Sequence, residues 1–300
     1  MMMQPLQGSF VALVTPMFPD GSLDYGSLKD LIEWQIKDGI SGIVTVGTTG
    51  ESATLNVEEH LEVIEKTIEY TNKRVPVIAG TGANSTKEAI ELTHAANNLG
   101  ADYALVVTPY YNKPNQDGLF KHYFKIANEV DIAQILYNVP SRTACDLHPE
   151  TVLRLSDHPN IVGIKEAVDD EQRMNELLSI LEKLKDEKKF SILSGDDKTF
   201  NSFMSKGADG VISVAANIIP EAISKICSFN LNKEFNKAID INKNFLNLYD
   251  LLFVESNPIP VKWVLEKMHK IESGIRLPLV PLNSVFHEEI SREMSRLELI

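Results

Sequence analysis

Short runs of apolar, mostly β-branched residues recur along the chain, each followed by a polar or glycine-containing turn and a stretch of helical periodicity. Their starts lie about 30 residues apart, tightening to about 20 at the last one. This alternation is typical of βα units that form a parallel sheet. The runs are FVALV (10–14), GIVTV (42–46), VPVIA (75–79), YALVV (103–107), AQILY (133–137), IVGIK (161–165), FSILS (190–194) and GVISV (210–214). Eight such units predict an α/β fold, a (β/α)8 TIM barrel.

Helix-start and helix-stop signals support this interpretation. Asn56 with Glu59, and Ser85 with Glu88, have capping-box spacing at the expected starts of the second and third helices. Gly100 stands where the third helix should end. The doubly wound alternative would need a GxGxxG phosphate fingerprint, and GTTGES at 47–52 lacks that spacing.

About 85 residues follow the eighth run, and the barrel needs only one further helix. We therefore predict a barrel over residues 1–230 that carries the catalytic site, and a C-terminal helical extension over 231–300 packed on it. The helical patterns in this part of the chain cover 218–229, 232–252, 259–271 and 284–297.

Composition narrows the functional classes. The chain has 29 Lys and Arg against 42 Asp and Glu, a net charge of −13, which disfavours nucleic acid and anionic membranes as partners. The two cysteines, Cys145 and Cys227, are expected to be reduced thiols. With no signal-peptide pattern and no apolar run of membrane-spanning length, we expect a soluble, cytoplasmic protein.

In a TIM barrel the active site lies at the carboxyl ends of the strands, so candidate chemistry is sought there. No histidine grouping resembles a metal triad, so a metal-dependent aldolase is disfavoured and no metal ion is expected. The polar residues expected at these ends are Thr15, Thr48, Thr49, 80–84, Tyr110, Tyr111, 137–142, Lys165, Glu166, 195–197 and 213–217.

Lys165 is the strongest candidate for a catalytic nucleophile, because it ends a strand that should be buried on both faces. A desolvated amine keeps a larger neutral fraction and can attack a carbonyl carbon. The alternative is an ammonium group that reaches water or pairs with Glu166. On position alone the two interpretations are equally good.

Other candidates have ordinary alternatives as well. Tyr137, at the end of the preceding strand, could transfer protons beside Lys165, or it could simply cap a layer of the barrel. Thr48 and Thr49 could cradle a carboxylate, or could only build a turn. Cys145 has no adjacent histidine to activate it. Lys262 is expected at the solvated start of an amphipathic helix.

Several segments together resemble the dihydrodipicolinate synthase family in order and spacing, from about residue 8 to about residue 282. GTTGES, YNVPSRT and GIKEA are specific in combination, while each alone would indicate only the wider pyruvate-lyase and aldolase superfamily. The segments are VALVTP, VGTTGESATLN, VIAGTGAN, VTPYYNKP, ILYNVPSRT, GIKEA, LSGDD, GVISV and FVESNPIPVKW.

The resemblance implies a Schiff-base-forming lyase that condenses pyruvate with L-aspartate 4-semialdehyde on the diaminopimelate route to lysine, without a cofactor. It implies an imine on Lys165 and a carboxylate contact from Arg142. The implied proton relay comprises Tyr137, Thr48 and Tyr111, and the implied pocket lining comprises Thr49, Gly195 and Ile212. Ala144 and Val168 stand where family members commonly have Gly and Thr.

Two other functions share parts of this pattern. An N-acetylneuraminate lyase or related 2-keto-acid aldolase would share the barrel, the lysine and the tyrosine, but PSRT and the double threonine favour the synthase. A non-catalytic barrel that binds keto acids is disfavoured because Lys165, Tyr137 and Thr48 are all present.

The resemblance also implies a homotetramer built from tight dimers, in which Tyr111 reaches the neighbouring subunit's site. It further implies an inhibitory L-lysine site at the dimer interface. Val57 stands where the best-known lysine-sensitive members have histidine, which predicts weak, partial inhibition. The matching positions are Ser52, Ala53, His60, Asn84, Glu88 and Tyr110.

Overall fold

A computed structural model of the chain describes residues 6–182 and 190–300. Eight parallel strands close into a barrel in chain order, and the last strand pairs with the first. The strands are β1 (Gly8–Ala12), β2 (Gly42–Thr45), β3 (Val77–Gly80), β4 (Tyr103–Val107), β5 (Ala133–Asn138), β6 (Ile161–Glu166), β7 (Ser191–Ser194) and β8 (Gly210–Ser213). The predicted TIM barrel is confirmed.

Helices follow every strand, and further helices follow the barrel. They are α1 (Tyr25–Lys37), α2 (Val57–Thr71), α3 (Thr86–Leu99), α4 (Gln116–Glu129), α5 (Pro140–Thr143), α6 (Pro149–Ser156), α7 (Glu171–Glu182), α8 (Phe200–Ser205), α9 (Pro220–Leu231), α10 (Phe235–Asn242), α11 (Leu246–Leu251), α12 (Ile259–Lys267) and α13 (His287–Arg296). Short 3₁₀ turns cover Ser52–Thr54, Ala215–Asn217 and Ser284–Phe286.

The core has two layers because successive side chains on a strand point to opposite faces. Phe10, Ile135 and Ile212 belong to the cluster that fills the barrel interior. Leu136 and Ile164 point outward and belong to the larger cluster between the strands and the helices. The filled interior makes the barrel a packed core, so a binding site must lie at its ends.

Element boundaries differ from the predictions where local stereochemistry intervenes. The first strand covers Gly8–Ala12 rather than 10–14, because Val14 N donates instead to Asn217 Oδ1 at 3.1 Å. The predicted helix over 232–252 is two helices, since the chain turns between Asn242 and Leu246. The division of the chain at 230/231 remains a prediction.

The two predicted capping boxes have different outcomes. Asn56 Oδ1 accepts from Glu59 N at 2.8 Å, and Glu59 accepts from Asn56 N at 3.1 Å, so the first box is complete. In the second, Ser85 Oγ accepts from Glu88 N at 3.5 Å, but among the described residues the Glu88 carboxylate does not accept from Ser85 N in return. The carboxylate of Glu88 is therefore available for other partners.

Candidate active site

A pocket of about 710 Å³ opens at the carboxyl ends of the strands and is closed on one side by the extension. Its walls are formed by Ala12, Val44, Gly47, Thr48, Thr49, Leu105, Tyr137, Val139, Pro140, Ser141, Arg142, Lys165, Ala167, Val168, Asp169, Gly195, Asp196, Val214 and residues 253–257. The structure thus brings together Lys165 with Tyr137, Thr48, Thr49, Arg142 and Gly195.

Lys165 presents its amine to this pocket from β6. Its side chain is buried, and Nζ lies 4.3 Å from the centre of the Tyr137 ring. The two residues are direct partners in the β5–β6 ladder, so strand register sets their proximity. Within the described ranges, 6–182 and 190–300, the amine forms no ion pair, and the alternative pairing with Glu166 is wrong.

Gly195 makes room for this lysine. A Cβ atom at residue 195 would lie 3.0 Å from Lys165 Cε and 2.8 Å from the Cβ of Ala167. Any side chain there would crowd the amine or displace the neighbouring strand end. Gly195 N also donates to the carbonyl of Glu166 at 2.6 Å, so the glycine both leaves space for the lysine and ties its loop to β6.

Glu166 points to the opposite face, where it belongs to a buried polar cluster that sequence reasoning missed. Asn138 Nδ2 donates to both of its carboxylate oxygens at 3.0 and 3.2 Å, and Arg173 lies 3.5 Å away. Arg173 is closer to Asp146, at 2.5 Å. Burial raises the pKa of Glu166 to about 7, because Arg173 and Asn138 compensate only in part. Because successive side chains of a strand point to opposite faces, the sequence could have shown that Glu166 does not share a face with Lys165.

Tyr137 and the two threonines surround the amine at different depths. Tyr137 and Thr49 are buried, whereas Thr48 is half-buried. Thr49 Oγ1 accepts a hydrogen bond from Asn257 Nδ2 at 2.9 Å. The turn that carries both threonines is thus fixed by the extension, a contact that no local pattern predicted.

Arg142 lies on the short helix α5, and its side chain is exposed at the rim of the pocket. Its Nη2 donates to the carbonyl of Asn257 at 3.4 Å. A guanidinium at the rim can bind the carboxylate of a molecule that enters from solvent, because Arg presents several coplanar N–H donors.

Two of the predicted residues lie elsewhere. Tyr111 is 85% exposed and does not line the pocket. Ile212 is fully buried in the barrel interior, whereas Val214, two positions later, lines the pocket. Residues 253–257 line the pocket but were not predicted to do so. They form the start of the family-like segment FVESNPIPVKW, which was the sequence signal that could have identified them.

Lys262 was expected to be solvated, and this is wrong. It is 5% exposed and forms an ion pair with Glu51 at 2.5 Å. Its Nζ also donates to the carbonyl of Thr15 at 3.2 Å. Burial lowers the pKa of Lys262, although the adjacent Glu51 carboxylate opposes that shift. The helix start is covered because it packs over the turn after β2.

A second pocket, of about 420 Å³, contains five of the six positions matched to a lysine site, namely Ser52, Ala53, His60, Glu88 and Tyr110. Asn84 supports it from outside, since its Oδ1 accepts from Tyr110 N at 2.7 Å. His60 is buried rather than an ordinary surface residue, and its Nε2 lies 2.9 Å from the carbonyl of Gly80. Burial lowers the pKa of His60.

The two pockets share a wall. Thr48, Val139, Arg142, Ser256 and Asn257 line both of them. An occupant of the second pocket would therefore touch residues of the first directly.

In the part of the chain that the structure describes, no three His, Cys, Asp or Glu side chains are grouped as ligands for a metal ion. No helix in those same ranges has the length and apolar character needed to cross a membrane.

A (β/α)8 barrel with a buried lysine amine beside a tyrosine at the strand ends defines an enzyme of the Schiff-base-forming lyase class. Residues 5–297 match the model of the dihydrodipicolinate synthetase family. The chain belongs to that family, and the family prediction is confirmed.

Individual relatives cover nearly the whole chain. A 4-hydroxy-tetrahydrodipicolinate synthase from Cellvibrio japonicus is 52% identical over 289 residues, which is 96% of this chain and 98% of the relative. A solved structure from Acinetobacter baumannii, a chloride-inhibited dihydrodipicolinate synthase complexed with pyruvate, has a TM-score of 0.95 at 52% identity, covering 98% and 99% of the two chains. The enzyme from Cyanidioschyzon merolae with lysine bound has a TM-score of 0.92 at 34% identity, with the same coverage.

Proposed function

We propose that this chain condenses pyruvate with L-aspartate 4-semialdehyde to give 4-hydroxy-tetrahydrodipicolinate. The observation that carries the proposal is the buried amine of Lys165, free of ion pairs within the described ranges and 4.3 Å from the Tyr137 ring, in a pocket with Arg142 at its rim. The named relatives, which cover almost the whole chain, support it.

The first half of the reaction uses Lys165. Its neutral amine attacks the keto carbon of pyruvate, and loss of water from the resulting carbinolamine gives the imine. Each step moves a proton between nitrogen and oxygen, a transfer that the phenol of Tyr137 and the hydroxyl of Thr48, which line the same pocket, would assist. The protonated imine then withdraws electrons from the methyl carbon, which loses a proton to give an enamine.

The second half forms the carbon–carbon bond. The enamine carbon attacks the aldehyde carbon of the semialdehyde, whose carboxylate is bound by Arg142. The substrate's own amino group then attacks the imine carbon, closes the ring and releases Lys165. Nitrogen replaces nitrogen in this last step, so no oxidant or cofactor is required.

Two further elements belong to the proposal. The exposed Tyr111 would complete the proton relay of a neighbouring subunit within a homotetramer of tight dimers, because it lies outside the pocket of its own chain. The second pocket would bind the inhibitor L-lysine, with Glu88 facing the ammonium group. A cytoplasmic location is also proposed, since both cysteines are free thiols, the state that a reducing compartment maintains.

Borohydride reduction in the presence of pyruvate tests the nucleophile. Intact mass should rise by one reduced pyruvyl group per chain, and peptide mapping should place it on the peptide with Lys165. Lys165→Ala should lose both the label and turnover, whereas Lys198→Ala, at an exposed lysine, should keep both. Label on Lys262, which is also buried, or no label at all, would overturn the assignment.

The choice of second substrate needs its own measurement. The purified protein should consume L-aspartate 4-semialdehyde in the presence of pyruvate. A protein that is labelled by pyruvate, ignores the semialdehyde and cleaves N-acetylneuraminate would instead be a 2-keto-acid aldolase.

A further inference from the structure

We propose that Asn257 is a positioning residue that fixes the direction of the Thr49 hydroxyl, so that this hydroxyl donates its proton to the carboxylate of the bound keto acid. The inference rests on the proposed function, since it names a group that would recognise the substrate. It concerns a residue of the extension, outside the barrel strands.

The chemistry of the pair sets the direction. Asn257 Nδ2 donates to Thr49 Oγ1 at 2.9 Å, and both residues line the pocket. An amide nitrogen can only donate, so the hydroxyl oxygen must accept, and its single proton is left to donate elsewhere. Within residues 6–182 and 190–300 that proton has no acceptor, although the Thr49 side chain is buried. An anionic group of the substrate is the partner that would satisfy it.

The opposite orientation of the Asn257 amide is less favourable. In the present orientation the carbonyl oxygen Oδ1 is buried and has no hydrogen-bond partner among the described residues. Reversing the amide would add no hydrogen bond and would exchange this unpartnered oxygen for a second unpartnered N–H donor. A buried N–H without a partner is rarer in folded proteins than a buried carbonyl oxygen without one. The donor of Asn257 therefore faces Thr49.

Contacts on both sides hold Asn257 in place. Arg142 Nη2 donates to its carbonyl oxygen at 3.4 Å. Helix α12, which follows directly, is tied to the turn that carries the hydroxyl through the ion pair between Lys262 and Glu51 at 2.5 Å. Thr15 Oγ1 donates to the carbonyl of Gly50 in the same turn at 2.7 Å. The turn and the extension are therefore joined at several points around the Asn257 hydrogen bond.

A double-mutant cycle tests the inference, with the pyruvate concentration that half-saturates borohydride labelling as the readout. Thr49→Val should raise this concentration about tenfold, as expected for loss of a hydrogen bond to a charged group. Asn257→Ala should raise it about threefold, because the hydroxyl remains but can rotate. In the Thr49→Val background, Asn257→Ala should have no further effect.

Two conservative variants make the test specific to direction. Asn257→Asp offers only acceptors, so the Thr49 proton should turn toward it, and the half-saturating concentration should rise more than in Asn257→Ala. This excess should shrink in the Thr49→Val background. Thr49→Ser keeps a hydroxyl, so Asn257→Ala should still raise the half-saturating concentration in that background, in contrast to the Thr49→Val background. Asn244→Ala, at an exposed residue of the extension, is the control and should change nothing.

The outcomes separate the inference from the proposed function. If pyruvate does not label the wild type, the proposed function fails. If the wild type is labelled but Asn257→Ala has its full effect in the Thr49→Val background, the positioning role is wrong while the function stands. Thermal unfolding of each variant identifies any that fail to fold, and the Thr49→Ser pair then carries the comparison.

Discussion

Lys262 and Glu51 are 211 positions apart in the chain, and their side chains meet at 2.5 Å with almost no exposure to solvent. Glu51 Oε2 also accepts from Arg276 N at 3.2 Å, and Arg276 forms a two-point contact with Glu59 at 2.6 and 2.7 Å. The extension is thus joined by charged groups to the turn that carries Thr48 and Thr49.

Replacing Lys262 with Met should destabilise the fold by roughly 3–5 kcal/mol, because the Glu51 carboxylate would be left buried without its cation. Urea unfolding measures the change. Lys198→Met is the matched control, because Lys198 pairs with Asp250 at 2.6 Å in an exposed position, so its replacement should cost far less stability than that of Lys262. Equal losses in both variants would contradict a buried, structural role for the Lys262 pair.

The stability of the protein should depend on pH through Glu166. Burial, the largest cause, raises its pKa in the folded state from 4.5 to about 7. Its protonated form is therefore favoured by folding, and the associated stability is complete below pH 4.5 and is lost as pH rises through about 7.

A shift of this size corresponds to about 3 kcal/mol. We compare the free energy of unfolding of the wild type with that of Glu166→Gln. The difference between them should fall by about 3 kcal/mol as pH rises from 4.5 to about 7. Asn138, Arg173 and Asp146 face the carboxyl and are unchanged in the variant. Two parallel stability curves would show that Glu166 titrates at its ordinary pKa.

Arg142→Ala should separate the two substrates. Labelling by pyruvate should be unchanged, whereas the KM for L-aspartate 4-semialdehyde should rise roughly 10- to 100-fold, as expected for loss of a charged hydrogen bond. Steady-state kinetics with each substrate varied in turn makes the measurement. Arg142→Lys should recover only part of the loss, because an ammonium lacks the planar fork. If only the KM for pyruvate rose, Arg142 would contact pyruvate rather than the semialdehyde.

Mixing two inactive chains tests whether Tyr111 serves a neighbouring subunit. Tyr111→Phe chains keep Lys165, and Lys165→Ala chains keep Tyr111, so a mixed dimer would contain one intact site. Random pairing makes half of the dimers mixed, and activity should return to about one quarter of the wild-type value. Native mass spectrometry verifies the mixed oligomers. If they form and remain inactive, the site is not shared.

L-Lysine should inhibit the enzyme partially and weakly. Val57 lines the second pocket at 54% exposure and offers no hydrogen bond to the ligand, a loss of about 1 kcal/mol relative to a polar residue there. Glu88→Ala should relieve inhibition without changing pyruvate labelling. Initial rates and calorimetric titration over a wide range of lysine concentrations decide the matter. If the enzyme keeps full activity at all lysine concentrations and no heat of binding is measured, the second pocket does not bind lysine and serves only in packing at the interface.

Local pattern was sufficient for the barrel. Eight apolar runs, each followed by a helical stretch, predict parallel strands joined by right-handed crossovers. The missing GxGxxG fingerprint then favoured the closed barrel over a doubly wound sheet. The same pattern put Lys165 at a strand end and Tyr137 at the end of the neighbouring strand. The register of β5 and β6 then places Tyr137 directly opposite Lys165. The family's motifs added the roles of Thr48, Thr49 and Arg142, which remain proposals.

The sequence by itself therefore determined the order and type of the main elements and the end of the barrel on which the site residues lie, since hydrophobic periodicity acts over a few residues. Only the tertiary structure decided that Lys262 is buried, that Tyr111 lies outside its own pocket, and that Asn257 meets Thr49 208 positions away. These outcomes depend on how the extension folds back over the strand ends. A polar residue at a helix start has the same local pattern whether water or a buried carboxylate faces it, and only packing between distant segments separates the two.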